Sequence, residues 1–283
     1  MMIKLFASDM DGTLLDETHT INDRTAKAIH DLQAAGVEFM IATGRDYQSA
    51  SRLTKAQNIS CAMINLNGAL VHDKDGNVIY DCPLDQETIE SVITYLNDHD
   101  LLYTIYTEAY TYFYNRDEYI QNTFKNLQKR FNFDDLTAAQ IKDNLMENKD
   151  ASEFTFSKEN PVLKMMIISE DDDKLHQTHL YLEKFPDLDV TSSAPGNLEI
   201  THKDAQKGLA IIKYIEKQGY TMDNVVTIGD SLNDRSMLQL CPNSYAMANA
   251  SEEIKEMAAH TTFSNDQYGV AVVIEELLEN MKK

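Results

Sequence analysis

Four short apolar runs in this chain each end in a loop of glycine, hydroxyl and carboxylate residues, and helical patterns separate them. Ile3 to Ser8 runs into DMDGTLL at 9 to 15, and Val37 to Ala42 runs into ATGR at 42 to 45. Cys61 to Leu66 runs into NGA at 67 to 69, and Asn224 to Ile228 runs into GDSLND at 229 to 234. Between them, Asn22 caps a helix with Ala26, Ile29 and Leu32 on one face, closed by Gly36, and a second helix covers Asp46 to Gln57. Later, Gln206 to Lys217 is amphipathic through Leu209, Ile212 and Ile215, and Ser231 to Leu240 forms another helix. Ser244 to Met247 and His260 to Phe263 are further strands, the latter at an edge. Ser251 caps a helix, and Val270 to Met281 is the last one. Strands alternating with helices require right-handed crossovers and a parallel sheet. The expected fold class is therefore α/β, with a doubly wound parallel-sheet core.

The pattern breaks in the middle. Asp85 caps a helix bearing Ile89, Val92, Ile93 and Leu96, and a tyrosine-rich alternating stretch from Leu101 to Tyr114 reads as a hairpin turning at Glu108 and Ala109. Helical segments, a strand at Val162 to Ile168 and a helix through Leu175 to Leu182 follow. This texture is α+β, and 283 residues exceed the usual size of one domain. The expected division is a core of residues 1–83 and 189–283 and an inserted α+β domain of residues 84–188.

Composition narrows the partners. With 25 basic against 46 acidic residues the net charge is −21, and no run of Lys and Arg offers the basic face that nucleic acid or an anionic membrane demands. An anionic substrate would need local positive charge or a metal. Cys61, Cys82 and Cys241 are scattered, which forms neither a disulfide framework nor a zinc site. No apolar stretch approaches the roughly 20 residues of a membrane span. The expected setting is reducing and cytoplasmic, with no obligate protein partner.

Asp9 and Asp11 stand two apart after a strand, so in extended backbone they face the same side while Met10 faces the other. Gly12 permits a tight turn, and successive N–H groups there can form an anion-binding nest. An EF-hand loop is excluded, because counting from Asp9 the glycine falls fourth and the twelfth residue is Thr20. A simple turn is the other bland reading, and the chain carries its own control. DKDGN at 73 to 77 has the same D-x-D-G string but lies between two strand-like runs, where Asp75-Gly76 signals a hairpin. What separates 9 to 12 from this copy is its company at the carboxyl ends of parallel strands, where α/β folds bind ligands. Asp230, Asn233 and Asp234 cluster there, and Thr43 and Gly44 sit at the tip of the second loop. Lys207 opens a helix, against the dipole, which a nearby anion would offset.

The blocks around Asp9, Thr43, Lys207 and Asp230 resemble the nucleophile, Thr, Lys and acidic motifs of the haloacid dehalogenase superfamily, in that order. NGA, the long insert, MANA at 247 to 250 and GVA at 269 to 271 make the chain similar to the Cof-type phosphatases with a class IIB cap. One departure is NDQYGVA, with Tyr268 where an acidic residue usually precedes the glycine. The resemblance implies a phosphatase acting on a small phosphorylated metabolite, with Asp9 as nucleophile, Asp11 as acid and base, and Lys207 beside them. It implies Mg2+ held by Asp9, the Asp11 carbonyl and Asp230, with Asp234 in the outer shell. Met10, Gly12, Thr43, Gly44, Lys207 and Asn233 would hold the phosphoryl oxygens. The insert would act as a substrate-selecting lid. A hexose phosphomutase on the same core and a phosphate-binding regulator without turnover remain the alternatives.

Overall fold

The computed structural model describes residues 2–121, 148–192 and 195–282. The chain forms two compact units, Met1–Cys82 with Asp204–Lys283, and Pro83–Lys203. In chain order the first unit begins with β1 (Leu5–Ser8), α1 (Asp23–Ala34), β2 (Glu38–Ala42), α2 (Tyr47–Ala56), β3 (Ala62–Asn65), β4 (Leu70–His72) and β5 (Val78–Asp81). The second unit contains α3 (Gln86–Asp98), β6 (Leu102–Tyr106), β7 (Thr111–Phe113), β8 (Lys149–Asp150), β9 (Lys164–Ile168), α4 (Asp172–Leu182), β10 (Leu188–Thr191) and β11 (Asn197–His202). The chain then returns to the first unit through α5 (Lys207–Glu216), β12 (Val225–Gly229), α6 (Arg235–Leu240), β13 (Asn243–Ala246), α7 (Glu252–Met257), β14 (His260–Thr261) and α8 (Gly269–Met281).

The core sheet runs β14-β13-β12-β1-β2-β3-β4-β5. Its first six strands are parallel, and β4 and β5 add an antiparallel edge. Asp75 and Gly76 turn that hairpin, as the sequence led us to expect, with the Asp73 carboxylate accepting from the N–H groups of Asp75 (2.9 Å) and Asn77 (2.8 Å). Every side chain of β1 is buried, so the strand is covered on both faces. Phe6, Phe39 and Ile41 pack with Ile29 and Leu32 of α1 and Val273 and Ile274 of α8 on one side; Leu5, Ala7 and Met40 pack with Ile211 and Tyr214 of α5 on the other. Burial of each such large side chain is worth about 1.5–3 kcal/mol.

Two expectations need correcting. The buried face of α5 is Lys207, Ala210, Ile211, Tyr214 and Ile215, while Leu209 and Ile212 are only half-buried. The helix is rotated because Lys207, three, four, seven and eight residues before the others, must share their inward face. The second boundary falls at Lys203 and Asp204, not between 188 and 189. Strand β10 pairs antiparallel with β11, and β11 with β9, so this hairpin is built into the insert's sheet.

That sheet runs β10-β11-β9-β6-β7-β8. Ile89, Val92 and Leu96 of α3 and Leu175 and Leu182 of α4 cover one face, against Tyr103, Ile105, Met165, Ile167 and Ile200. The β6–β7 turn closes at Glu108 and Ala109, with Thr107 N–H donating to the Tyr110 carbonyl. Its tyrosines pack on one another, Tyr103 on Tyr114 with ring centroids 4.7 Å apart. The helical segments expected after Tyr114 fall mostly on 122–147, outside the described residues. Among the described residues no helix is long and apolar enough to cross a membrane.

Candidate active site

Register brings the loops together. Ser8 lies opposite Ile228 on one side and Ile41 on the other, so Asp9, Gly229 and Thr43 emerge at neighbouring strand ends. Asp9 N–H donates to the Ile228 carbonyl at 2.9 Å, fixing the start of the first loop. Residues Met10–Leu14 then form one wide turn closed by Leu15 N–H on the Met10 carbonyl. Met10 points into the hydrophobic core. Gly12 has φ +80°, and a Cβ there would sit 2.5 Å from Asp230 Oδ2. Only glycine allows both the left-handed turn and that approach. The Gly12 carbonyl is held by Asn249 Nδ2 at 2.9 Å.

Lys207 joins the loops. Its Nζ donates to Asp9 Oδ1 and to Asp234 Oδ1, both at 2.6 Å, and solvent reaches none of the Lys207 side chain. The first turn of α5 approaches closely on both sides. A Cβ on Gly208 would lie 2.5 Å from the Ser236 carbonyl oxygen, and one on Gly68 would lie 2.5 Å from the Gln206 backbone. The other Asp234 oxygen accepts from the N–H groups of Asp230 (2.9 Å) and Ser231 (3.0 Å). Asp230 in turn accepts from Thr13 Oγ1 at 2.7 Å and Ser231 Oγ at 3.1 Å.

Asp9, Asp230 and Asp234 each offer an oxygen, all within 4.8 Å of one another. Three carboxylates against one ammonium leave two negative charges uncompensated in a buried place. The effect on titration follows. Burial, then the Asp234 charge, pushes the Asp9 carboxyl well above the ordinary carboxylate value, with Lys207 opposing. Burial and Asp234 push Asp230 up to about 6. For Lys207 burial disfavours the ammonium, but Asp234 and Asp9 outweigh it and hold the pKa above its ordinary value. An all-oxygen group short of positive charge fits a hard divalent cation.

The remaining expected residues are placed as follows. Thr43 is buried, and its Oγ1 accepts from the Arg45 N–H at 3.2 Å; Gly44 is half-buried beside it. Asn233 Nδ2 donates to Asn67 Oδ1 at 3.1 Å, which ties the fourth loop to the NGA turn. Leu66 and Asn67 both have positive φ, at 50° and 60°. Asp11 does not join the three clustered carboxylates; its carboxylate pairs with Arg45. Sequence reasoning missed the parts played by Arg45, Thr13, Asn67 and Asn249, although all four lie inside quoted blocks.

The chain matches the family of haloacid dehalogenase-like hydrolases over residues 6–274, and it belongs to that family. It is a phosphatase with a core and an inserted cap, as its relatives are named and its structural neighbours are built. Phosphatase YwpJ of Bacillus subtilis (strain 168) is 28% identical over 98% of this chain and 100% of that protein. The 5-amino-6-(5-phospho-D-ribitylamino)uracil phosphatase YcsE of the same organism is 30% identical over 96% of this chain and 94% of that one. A solved haloacid dehalogenase-like hydrolase from B. subtilis superposes with a TM-score of 0.83 at 26% identity, covering 96% of this chain and 99% of the other.

Proposed function

We propose that the chain is a magnesium-dependent phosphomonoester hydrolase that forms an aspartyl phosphate on Asp9. The supporting observation is the triangle of Asp9, Asp230 and Asp234, with Asp9 and Asp234 buried and paired to one ammonium, that of Lys207. Lys207 ties down Asp9 Oδ1, so Oδ2 is the oxygen offered to phosphorus. Covalent transfer to Asp9 and then to water divides one difficult displacement into two. Asp11 protonates the leaving oxygen in the first step and takes a proton from water in the second. Magnesium would be held by Asp9, Asp230 and the Asp11 carbonyl, with Asp234 orienting the loop. When bound it supplies the positive charge that the carboxylates lack and that a phosphoryl group requires. Thr43, Gly44, Asn233, Lys207 and the N–H groups around Met10 and Gly12 hold the other phosphoryl oxygens.

The inserted unit supplies the side chains that select the substrate. Its class is a small phosphorylated metabolite, a sugar phosphate or a similar alkyl phosphate. A phosphorylated ribitylamino-uracil belongs in the first panel, because YcsE is named for that activity. The test is phosphate release from a panel of phosphorylated metabolites and p-nitrophenyl phosphate, with magnesium and with EDTA. Release that needs magnesium is expected. No release from any member would overturn the reading.

A further inference from the structure

Arg45 grips Asp11 with both arms of its guanidinium. Nε donates to Oδ2 at 2.7 Å and one terminal nitrogen to Oδ1 at 2.5 Å, the fork-on-fork geometry that fixes a carboxylate's plane as well as its position. Among the described residues Arg45 is the sole hydrogen-bond donor to that carboxylate, which is 46% exposed. Arg45 itself is anchored. Its N–H donates to Thr43 Oγ1 at 3.2 Å, and its carbonyl accepts from Leu66 N–H at 3.1 Å and Asn65 Nδ2 at 3.3 Å. A terminal nitrogen reaches Ser49 Oγ at 3.5 Å. The arginine therefore links the loop after β2 to the one carboxylate of the DMDG turn that stands apart from the triangle.

We propose that Arg45 is a positioning residue for Asp11, holding its carboxyl group in line with the leaving oxygen. The proposal rests on the phosphatase reading above. In the first step Asp9 Oδ2 forms a bond to phosphorus, the bond from phosphorus to the leaving oxygen breaks, and the Asp11 proton goes to that oxygen. In the second step water attacks phosphorus, its proton goes to Asp11, and the bond to Asp9 breaks. Both proton transfers need the Asp11 carboxyl within hydrogen-bond reach, and a misplacement of about 1 Å costs on the order of a hundredfold. A lysine offers one point charge where arginine offers a planar fork, so Arg45→Lys restores little.

The experiment compares kcat/KM for 2,4-dinitrophenyl, p-nitrophenyl and phenyl phosphate with magnesium, for the unmodified chain, Arg45→Met, Arg45→Lys, Asp11→Asn and the double variant. Phenolate needs a proton to leave and dinitrophenolate does not. Arg45→Met is expected to lose at least about tenfold more on phenyl than on dinitrophenyl phosphate. Adding it to Asp11→Asn is expected to cost little more, because the arginine acts through Asp11. A uniform loss across the three esters, or additive losses in the double variant, would overturn the proposal and make Arg45 a phosphate ligand or a structural residue. No turnover by the unmodified chain would instead remove the phosphatase reading on which it stands.

Discussion

Lys207 and Asp234 form an ion pair, 2.6 Å from nitrogen to oxygen, in which solvent reaches neither side chain. Such a pair is expensive to assemble, because both charges leave water, and it is more expensive to break, because the survivor stays buried alone. Here the geometry is well supplied. The second Asp234 oxygen takes two backbone N–H groups, and Lys207 has Asp9 as another partner. We expect Asp234→Ala to lower the unfolding free energy by about 3–5 kcal/mol. Urea denaturation followed by circular dichroism measures it. A loss under about 1 kcal/mol would mean that Asp9 alone satisfies Lys207.

Asp9 carries the opposite balance. A carboxyl whose pKa is raised on folding costs stability once the pH exceeds its unfolded value, and burial raises that of Asp9 well above the ordinary range. Asp9→Asn is therefore expected to be at least as stable as the unmodified chain in EDTA. It should lose phosphate release by at least about a thousandfold. Magnesium should raise the Tm of the unmodified chain and raise that of the variant less, since a ligand that binds only the folded state stabilises it. Thermal melts with and without magnesium decide this. An equal magnesium shift in both proteins would place the cation away from Asp9.

Much of the parallel core was legible because β1, β2, β3 and β12 are short apolar runs that lead into loops holding glycine or an acid, and several helices have a cap that the structure uses. Asn22, Asp46, Asp85 and Ser251 all accept from a backbone N–H in the first turn. The buried face of α5 was not legible, since hydropathy counts Lys207 as a surface residue. Only its two carboxylate partners, from loops far away in sequence, reverse that. Gly12 reads as a turn residue and Gly229 as the close of a strand, yet each has a further cause. A Cβ on either would strike a carboxylate oxygen, of Asp230 or Asp234, at 2.5 Å. Arg45 was invisible for a related reason: nothing local says that an arginine after a Thr-Gly tip pairs with an acid 34 residues earlier. The end of the insert was misplaced because strands alone do not say which sheet they join.

His72 gives the fold a measurable acid sensitivity away from the carboxylates. Its ring is buried at the end of β4, stacked on Tyr47 with centroids 4.0 Å apart, and Nδ1 lies 3.1 Å from Asn65 Oδ1. Burial pushes its pKa from 6.5 to about 4, with the nearby Asp73 opposing weakly. Below pH 6.5 the unfolded chain takes up this proton while the folded chain refuses it until about 4. The stability held by the neutral ring is thus complete above pH 6.5 and drains away as the pH falls toward 4. His72→Gln removes the titration and should flatten that part of the curve, at some cost in packing at neutral pH. Urea midpoints for the two proteins between pH 7 and 4 test it, because the difference between them isolates this imidazole from the carboxylates. If the midpoints fall in parallel, the imidazole protonates within the folded chain as readily as outside it, and the acid sensitivity belongs to other groups.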